Sequence, residues 1–225
     1  MERKSILLVS ATELEIKPLL DEQIAKIENK LYRSTIKSNN VEILITGVGI
    51  HAMTYALTRL LSKNQYSFII LAGISGSNTN TLKLGNVVNV MSEQFADLGA
   101  QSDKGFLSLF DMGLQDANEW PFAQGVMHNY TLINNAAVDA MKAVAGSTVQ
   151  TIQNKLECKI TTNTDVESME AAAFFYCCMM EKLPFIQIRS ISNFVGEGDK
   201  SKWDIPLAVQ NLNNALVSIF NEIGE

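Results

Sequence analysis

The chain has 225 residues, 47% of them apolar and 19% charged, with a formal net charge of −6. That length and composition suit one α/β-sized domain with a real core and exclude a disordered or fibrous chain. The acidic balance leaves no electrostatic footprint for nucleic acid or an anionic membrane, so a small charged ligand must be recognised locally.

The chain opens on Met-Glu-Arg-Lys and the apolar run Ile6–Val9, which is too short for a signal sequence or a membrane span. It predicts a buried strand over Ser5–Ser10. Further strands are expected at Val41–Thr46, Ser67–Ala72, Asn86–Met91 and Pro184–Ile191, and helices starting near Glu13, Ile50, Leu132, Val166 and Pro206. Continuous apolar runs alternating with helical segments predict a largely parallel sheet covered on both faces, in a single domain over residues 1–225. Glu93–Asn129 is aperiodic and rich in Gly, Asp, Asn, Ser and Phe, and predicts an elaborated surface segment, a lid or an interface.

The cysteines are Cys158 and the adjacent pair Cys177 and Cys178. Neighbours on a helix point about 100° apart and cannot form an ordinary disulfide, so reduced thiols and a cytoplasmic location are expected. His51 and His128 stand alone, without metal-ligand spacing; no metal and no cofactor are expected.

Val166–Glu181 is apolar nearly all round and predicts a central buried helix, with Glu167 and Glu170 in its first turns. The next strand ends near Arg189, Ser192 and Asn193, at the carboxyl edge where open α/β sheets gather ligands.

Three stretches can carry chemistry. In Ser10-Ala-Thr-Glu-Leu-Glu15, Thr12 and Glu15 have the spacing of a capping box, while Glu15 also suits a base for an attacking water. The readings exclude each other only if backbone engages the whole carboxylate. Thr46-Gly-Val-Gly49 and Ala72-Gly-Ile-Ser-Gly76 follow strands and let backbone approach a ligand. Ala52 breaks the dinucleotide fingerprint, and no acidic residue follows at the usual distance. In Val166-Glu-Ser-Met-Glu-Ala-Ala173, a buried Glu170 needs hydrogen-bond donors, either its own helix N-terminus or the vicinal hydroxyls of a sugar. Arg189 either supports such a site electrostatically or pairs with Glu167 or Glu170.

Met-Glu-Ala-Ala, followed by Ile-Arg-Ser-Ile-Ser on the next strand, resembles the signature of the nucleoside phosphorylase and nucleosidase superfamily. The first-strand Ala-Thr-Glu-Leu-Glu and the two glycine loops match it in order. Within it the likeness is closest to the futalosine hydrolases, through Phe95–Ala100, Gly105–Leu109, Gly146–Thr151, Ser192–Gly196, Asp199 and Trp203–Pro206. Residues 16–40 and 115–130 carry little of it. The resemblance implies an α/β fold, a three-layer α/β/α sandwich around a central mixed, mostly parallel sheet, and a homodimer or other homo-oligomer. It implies hydrolysis of futalosine to hypoxanthine and dehypoxanthinyl futalosine, a step of menaquinone biosynthesis.

By the same resemblance, Glu15 activates water, Met169 packs on the ribose, and Glu170 grips its 2′- and 3′-hydroxyls. Ser75 and Gly76 line the ribose or water side, Val48 contacts the substrate, and Val149 and Thr151 lie near the base. Trp203 closes over the substrate, or is a core residue at the start of the last helix. Asn193 stands where adenine-directed nucleosidases carry an aspartate. Its amide donates to a 6-oxo group and accepts from N7–H, which favours hypoxanthine over adenine. Three rivals remain. A phosphorylase would want an arginine in the first-strand loop, where Ser10–Lys17 has none and carries Glu15. A methylthioadenosine/adenosylhomocysteine nucleosidase would prefer adenine. A silent nucleoside-binding module would turn nothing over.

Overall fold

Successive strand residues face opposite sides of a sheet, and the first strand, β1 (Ser5–Ser10), uses both. Its Leu7 and Val9 enter one apolar core, and its Ile6 and Leu8 enter the other. A sheet loaded this way must be covered on both faces. In the computed structural model, which describes residues 5–20, 25–28, 30–36, 39–103, 105–152 and 163–223, it is.

After β1 come a 3-10 turn at Leu14–Ile16, α1 (Lys17–Leu20), β2 (Ala25–Glu28), β3 (Leu31–Ile36), β4 (Asn39–Ile45) and α2 (Ile50–Leu61). The middle of the chain forms β5 (Phe68–Ser77), β6 (Val87–Phe95), the hairpin β7 (Gly99–Ser102) and β8 (Gly105–Ser108), β9 (Met127–His128) and α3 (Ala136–Asp139). The last part holds β10 (Lys142–Thr148), β11 (Val166–Ser168), α4 (Ala171–Met180), β12 (Phe185–Phe194) and α5 (Ile205–Ile223).

One face is covered by α2 and α4, through Met53, Leu57, Phe174 and Phe175. The other is covered by α5, whose Leu212, Leu216, Ile219 and Phe220 recur at helical spacing. This is the three-layer α/β/α sandwich. The sheet is mixed: β4, β1, β5 and β12 run parallel in that order, and β10 is parallel to β6 and β11. Antiparallel pairings join β12 to β6, β3 to β4 and β2 to β3. Short β11 also pairs antiparallel with the far end of β5, so β5, β12, β6, β10 and β11 curl into a closed ring. Among the described residues no helix is long and apolar enough to cross a membrane.

Several elements depart from the sequence expectations. The expected helix over Val166–Glu181 splits: Val166–Ser168 is strand, because its backbone is needed to close the ring between β10 and β5, and the helix begins at Ala171. The helix expected near Leu132 is the single turn of α3, capped by the Asn135 side chain accepting from Val138 N–H at 3.1 Å. The expected loop Gly73–Gly76 is strand, because β5 keeps its ladder with β12 through Ser77. β2, β3 and β10 were not expected; Lys-Ala-Val-Ala-Gly-Ser-Thr of β10 is too small and polar to read as a buried run. Glu93–Asn129 holds the end of β6, the β7–β8 hairpin and β9. Cys177 and Cys178 are free and buried; Cys158 lies outside the described residues.

Candidate active site

At one edge of the sheet, the ends of β5, β11 and β12 and the segments that follow β1, β4, β10 and β12 surround a cavity of about 320 Å³. Its wall begins with Glu15, in the 3-10 turn after β1. The carboxylate is buried and its two oxygens have different duties. Oε2 accepts from Ser10 Oγ at 3.1 Å and from the Thr12 N–H and hydroxyl at 2.9 Å each. The return to Thr12 N–H is the capping-box contact. Among the described residues Oε1 accepts only Ile74 N–H, at 3.0 Å, which leaves it acceptor capacity toward the cavity. The capping and base readings are therefore compatible, one on each oxygen.

Glu170 stands across the cavity at the N-cap of α4, yet it makes no side-chain bond to that helix. Its Oε1 accepts from Gly49 N–H at 3.0 Å. Gly47 and Gly49 adopt φ of +96° and +97°, the left-handed region that glycine tolerates, and this turns the Gly49 N–H inward beside Val48. Burial pushes the Glu170 carboxyl above the ordinary range; the Arg189 charge and the Gly49 N–H oppose that, and the Glu15 charge adds to it.

Arg189 lies behind the cavity wall, not in its lining, and is 1% exposed. Its Nη2 is 4.0 Å from Glu170 Oε2 and its Nη1 donates to the Ile74 carbonyl at 3.3 Å. Gly73 makes the room: a Cβ there would sit 2.2 Å from Arg189 Nη1 and 2.7 Å from Glu15 Oε1. Arg189 and the Glu15 carboxylate thus press on the same glycine, and of the two roles open to Arg189, the pairing with Glu170 is present alongside proximity to Glu15.

Asn193 follows a register shift in β12, where Asn193 rather than Ser192 aligns with Gly76. A Cβ at Gly76 would lie 3.1 Å from Asn193 Nδ2. Ser192 Oγ donates to Asn193 Oδ1 at 2.9 Å, and Asn193 Nδ2 donates weakly to the Phe194 carbonyl at 3.3 Å. One N–H and one acceptor site of the amide stay available. Ser75, Gly76, Val149, Met169, Glu170, Val48 and Trp203 line the same cavity as Glu15 and Asn193. Trp203 is half-buried and its indole N–H donates to the Glu197 carbonyl at 3.4 Å, across a flap that Glu197 and Lys202 tie at 2.8 Å. Thr151 is not in the lining. It is exposed, and its N–H donates to Asp97, which also takes Gln150 N–H and so fixes the loop that carries Val149.

The sequence reading missed Glu93, which is 1% exposed. It accepts from Gln187 Nε2 at 3.1 Å and Thr148 Oγ1 at 3.2 Å. Burial lifts its pKa to about 7 against those bonds and the Arg189 charge. A longer strand reading, continued past Met91, would have shown a carboxylate inside a sheet. Ser168 was also missed; it lines the cavity, and its buried Oγ has no partner among the described residues.

The model of the Phosphorylase superfamily matches residues 5–221. A curated relative, the futalosine hydrolase of Thermus thermophilus, is 27% identical over 225 residues, covering 97% of this chain and 96% of its own. Among solved structures, a 5′-methylthioadenosine/S-adenosylhomocysteine nucleosidase of Colwellia psychrerythraea in complex with adenine aligns with a TM-score of 0.79 at 20% identity, covering 98% of this chain and 96% of that one. The native futalosine hydrolase of Helicobacter pylori aligns with a TM-score of 0.78 at 16% identity, covering 97% and 98%. At these identities the structural likeness concerns the fold, whereas the family model spans nearly the whole sequence. By that match the chain belongs to the phosphorylase superfamily.

Proposed function

We propose that the chain hydrolyses the N-glycosidic bond of a 6-oxopurine nucleoside, with futalosine as substrate and hypoxanthine and dehypoxanthinyl futalosine as products. Relatives of both kinds carry hydrolase or nucleosidase names, which supports hydrolysis as the reaction type. One observation carries the reading: a carboxylate from the first loop, Glu15, and an amide from the last strand, Asn193, border one cavity with Glu170.

In this reading Glu170 accepts from the 2′- and 3′-hydroxyls and Met169 packs on the ribose. Glu15 Oε1 takes a proton from water as its oxygen bonds to C1′. The C1′–N9 bond breaks through an oxocarbenium-like state, and its electron pair leaves with the purine. Asn193 stabilises that charge by donating to O6, and once the departing purine takes a proton at N7 from a second water, the amide oxygen accepts from that N7–H. Val149 faces the base and Trp203 covers the pocket. Val48, Ser75 and Gly76 shape the ribose and water side. A buried carboxylate in the first loop repels phosphate, which favours water as the nucleophile.

Purified protein incubated with futalosine, inosine and methylthioadenosine in phosphate-free buffer tests this. Free hypoxanthine from futalosine supports the reading; strict phosphate dependence, or release of adenine alone, overturns it. The working unit in this reading is a homodimer. An apolar groove between Leu98 and Tyr176, floored by Phe95, Phe110 and Phe122, is exposed and offers the contact face. Sedimentation equilibrium at the mass of a single chain would remove that part.

A further inference from the structure

Glu93 contacts nothing in the cavity, yet its carboxylate is tied to both walls that carry polar groups. One oxygen accepts from Thr148 Oγ1, and that same hydroxyl oxygen accepts from Ala172 N–H at 2.8 Å, in the first turn of the helix that follows Glu170. The other accepts from Gln187, two residues before Arg189 and on the same face of β12. Gly146 is what lets the carboxylate lie there, since a Cβ would fall 2.2 Å from its Oε1. Apolar packing would fill this space without the cost of desolvating a carboxylate.

We propose that Glu93 is a positioning residue, holding Glu170 through Thr148 and the start of α4, and Arg189 through Gln187, so that the Glu170 carboxylate meets the sugar hydroxyls. The inference rests on the reading of Glu170 as the ribose contact, but not on which purine leaves.

The test compares kcat and KM for a purine ribonucleoside and its 2′-deoxy analogue, using whichever base the wild type cleaves. A failed 6-oxopurine assignment therefore leaves this test intact. For Glu93→Ala, KM for the ribonucleoside should rise about tenfold, the size of one hydrogen bond to a charged group, with kcat changed less. The penalty for removing the 2′-hydroxyl should shrink by a similar factor, because the grip is already loosened. Thr148→Val cuts one link and keeps the carboxylate, so it should show the same shrinkage even if Glu93→Ala fails to fold. Glu93→Gln can remake both hydrogen bonds and should restore the wild-type 2′-hydroxyl penalty. A 2′-hydroxyl penalty unchanged in Thr148→Val, or a Glu93→Gln variant no better than Glu93→Ala, would overturn the proposal. A wild type that cleaves ribo and 2′-deoxy substrates alike would do so as well.

Discussion

At the scale of single residues, the division of labour within Glu15 is the most consequential detail. Glu15→Gln keeps the size of the side chain, but an amide cannot take a proton from water. It also turns N–H groups toward either Ile74 N–H or the three donors at Oε2. We expect kcat to fall by roughly 10²–10⁴ while substrate still binds, with a stability loss of about 1–3 kcal/mol from the mismatched donors. Turnover by rapid quench and a binding titration separate these, and full turnover would leave Glu15 with its capping contact alone. In the proposed reading, Asn193→Asp would place an acceptor, or an acid, opposite position 6 of the purine. Relative kcat/KM should move toward 6-aminopurine nucleosides by at least about tenfold; an unchanged ratio would remove Asn193 from base selection. Glu15 was legible because it follows the first strand at capping-box spacing from Thr12, and Asn193 because it closes a polar run, Arg189 to Asn193, at the carboxyl end of an otherwise apolar strand. Glu93 was not. It lies inside a strand, and only the fold shows that Gly146, more than fifty positions later, leaves space for it.

At the scale of elements, apolar runs with strong periodicity were readable, and elements made from small or alternating residues were not. β1, α2 and α5 announce themselves through bulky residues on consistent faces. β10 and β11 hold their place by long-range pairing, each in a ladder with a strand distant in sequence, so no local window contains the reason they are strands. Gly-Ile-Ser-Gly in β5 resembles a loop for the same cause: Gly73 answers to Arg189 and Gly76 to Asn193, side chains of β12. β10 also provides a sharp test of packing. In Gly146→Ala the new methyl would meet Glu93 Oε1 at 2.2 Å, Glu93 Cδ at 2.8 Å and Val90 Cγ1 at 2.9 Å. None of these is the free end of an exposed chain, so the strand or the carboxylate must move. The expected loss is about 1–3 kcal/mol by chemical denaturation. Stability equal to wild type would mean that the β6–β10 contact yields without cost.

At the scale of the molecule, three buried carboxylates, Glu15, Glu93 and Glu170, share one buried guanidinium, Arg189. Folding must accommodate more negative charge than the centre can pair, and burial answers by holding protons: the Glu170 pKa is raised and that of Glu93 reaches about 7, from an ordinary value of 4.5. A carboxyl whose folded pKa lies above its unfolded one binds the proton more tightly when folded. Its stabilising contribution is complete below about pH 4.5 and is lost as pH rises through 7. At 1.36 kcal/mol per pKa unit, the Glu93 part is on the order of 3 kcal/mol. Glu93→Gln keeps a neutral hydrogen-bonding group at every pH, so its stability should not carry this slope. The unfolding free energy of wild type minus that of Glu93→Gln should therefore decline between about pH 4.5 and 7 and level off above. Urea unfolding at intervals from pH 5 to 8 measures it. Two curves that stay parallel across that window would mean that Glu93 titrates as an ordinary carboxylate and that Arg189, with the bonds from Gln187 and Thr148, overcomes the cost of burying its charge.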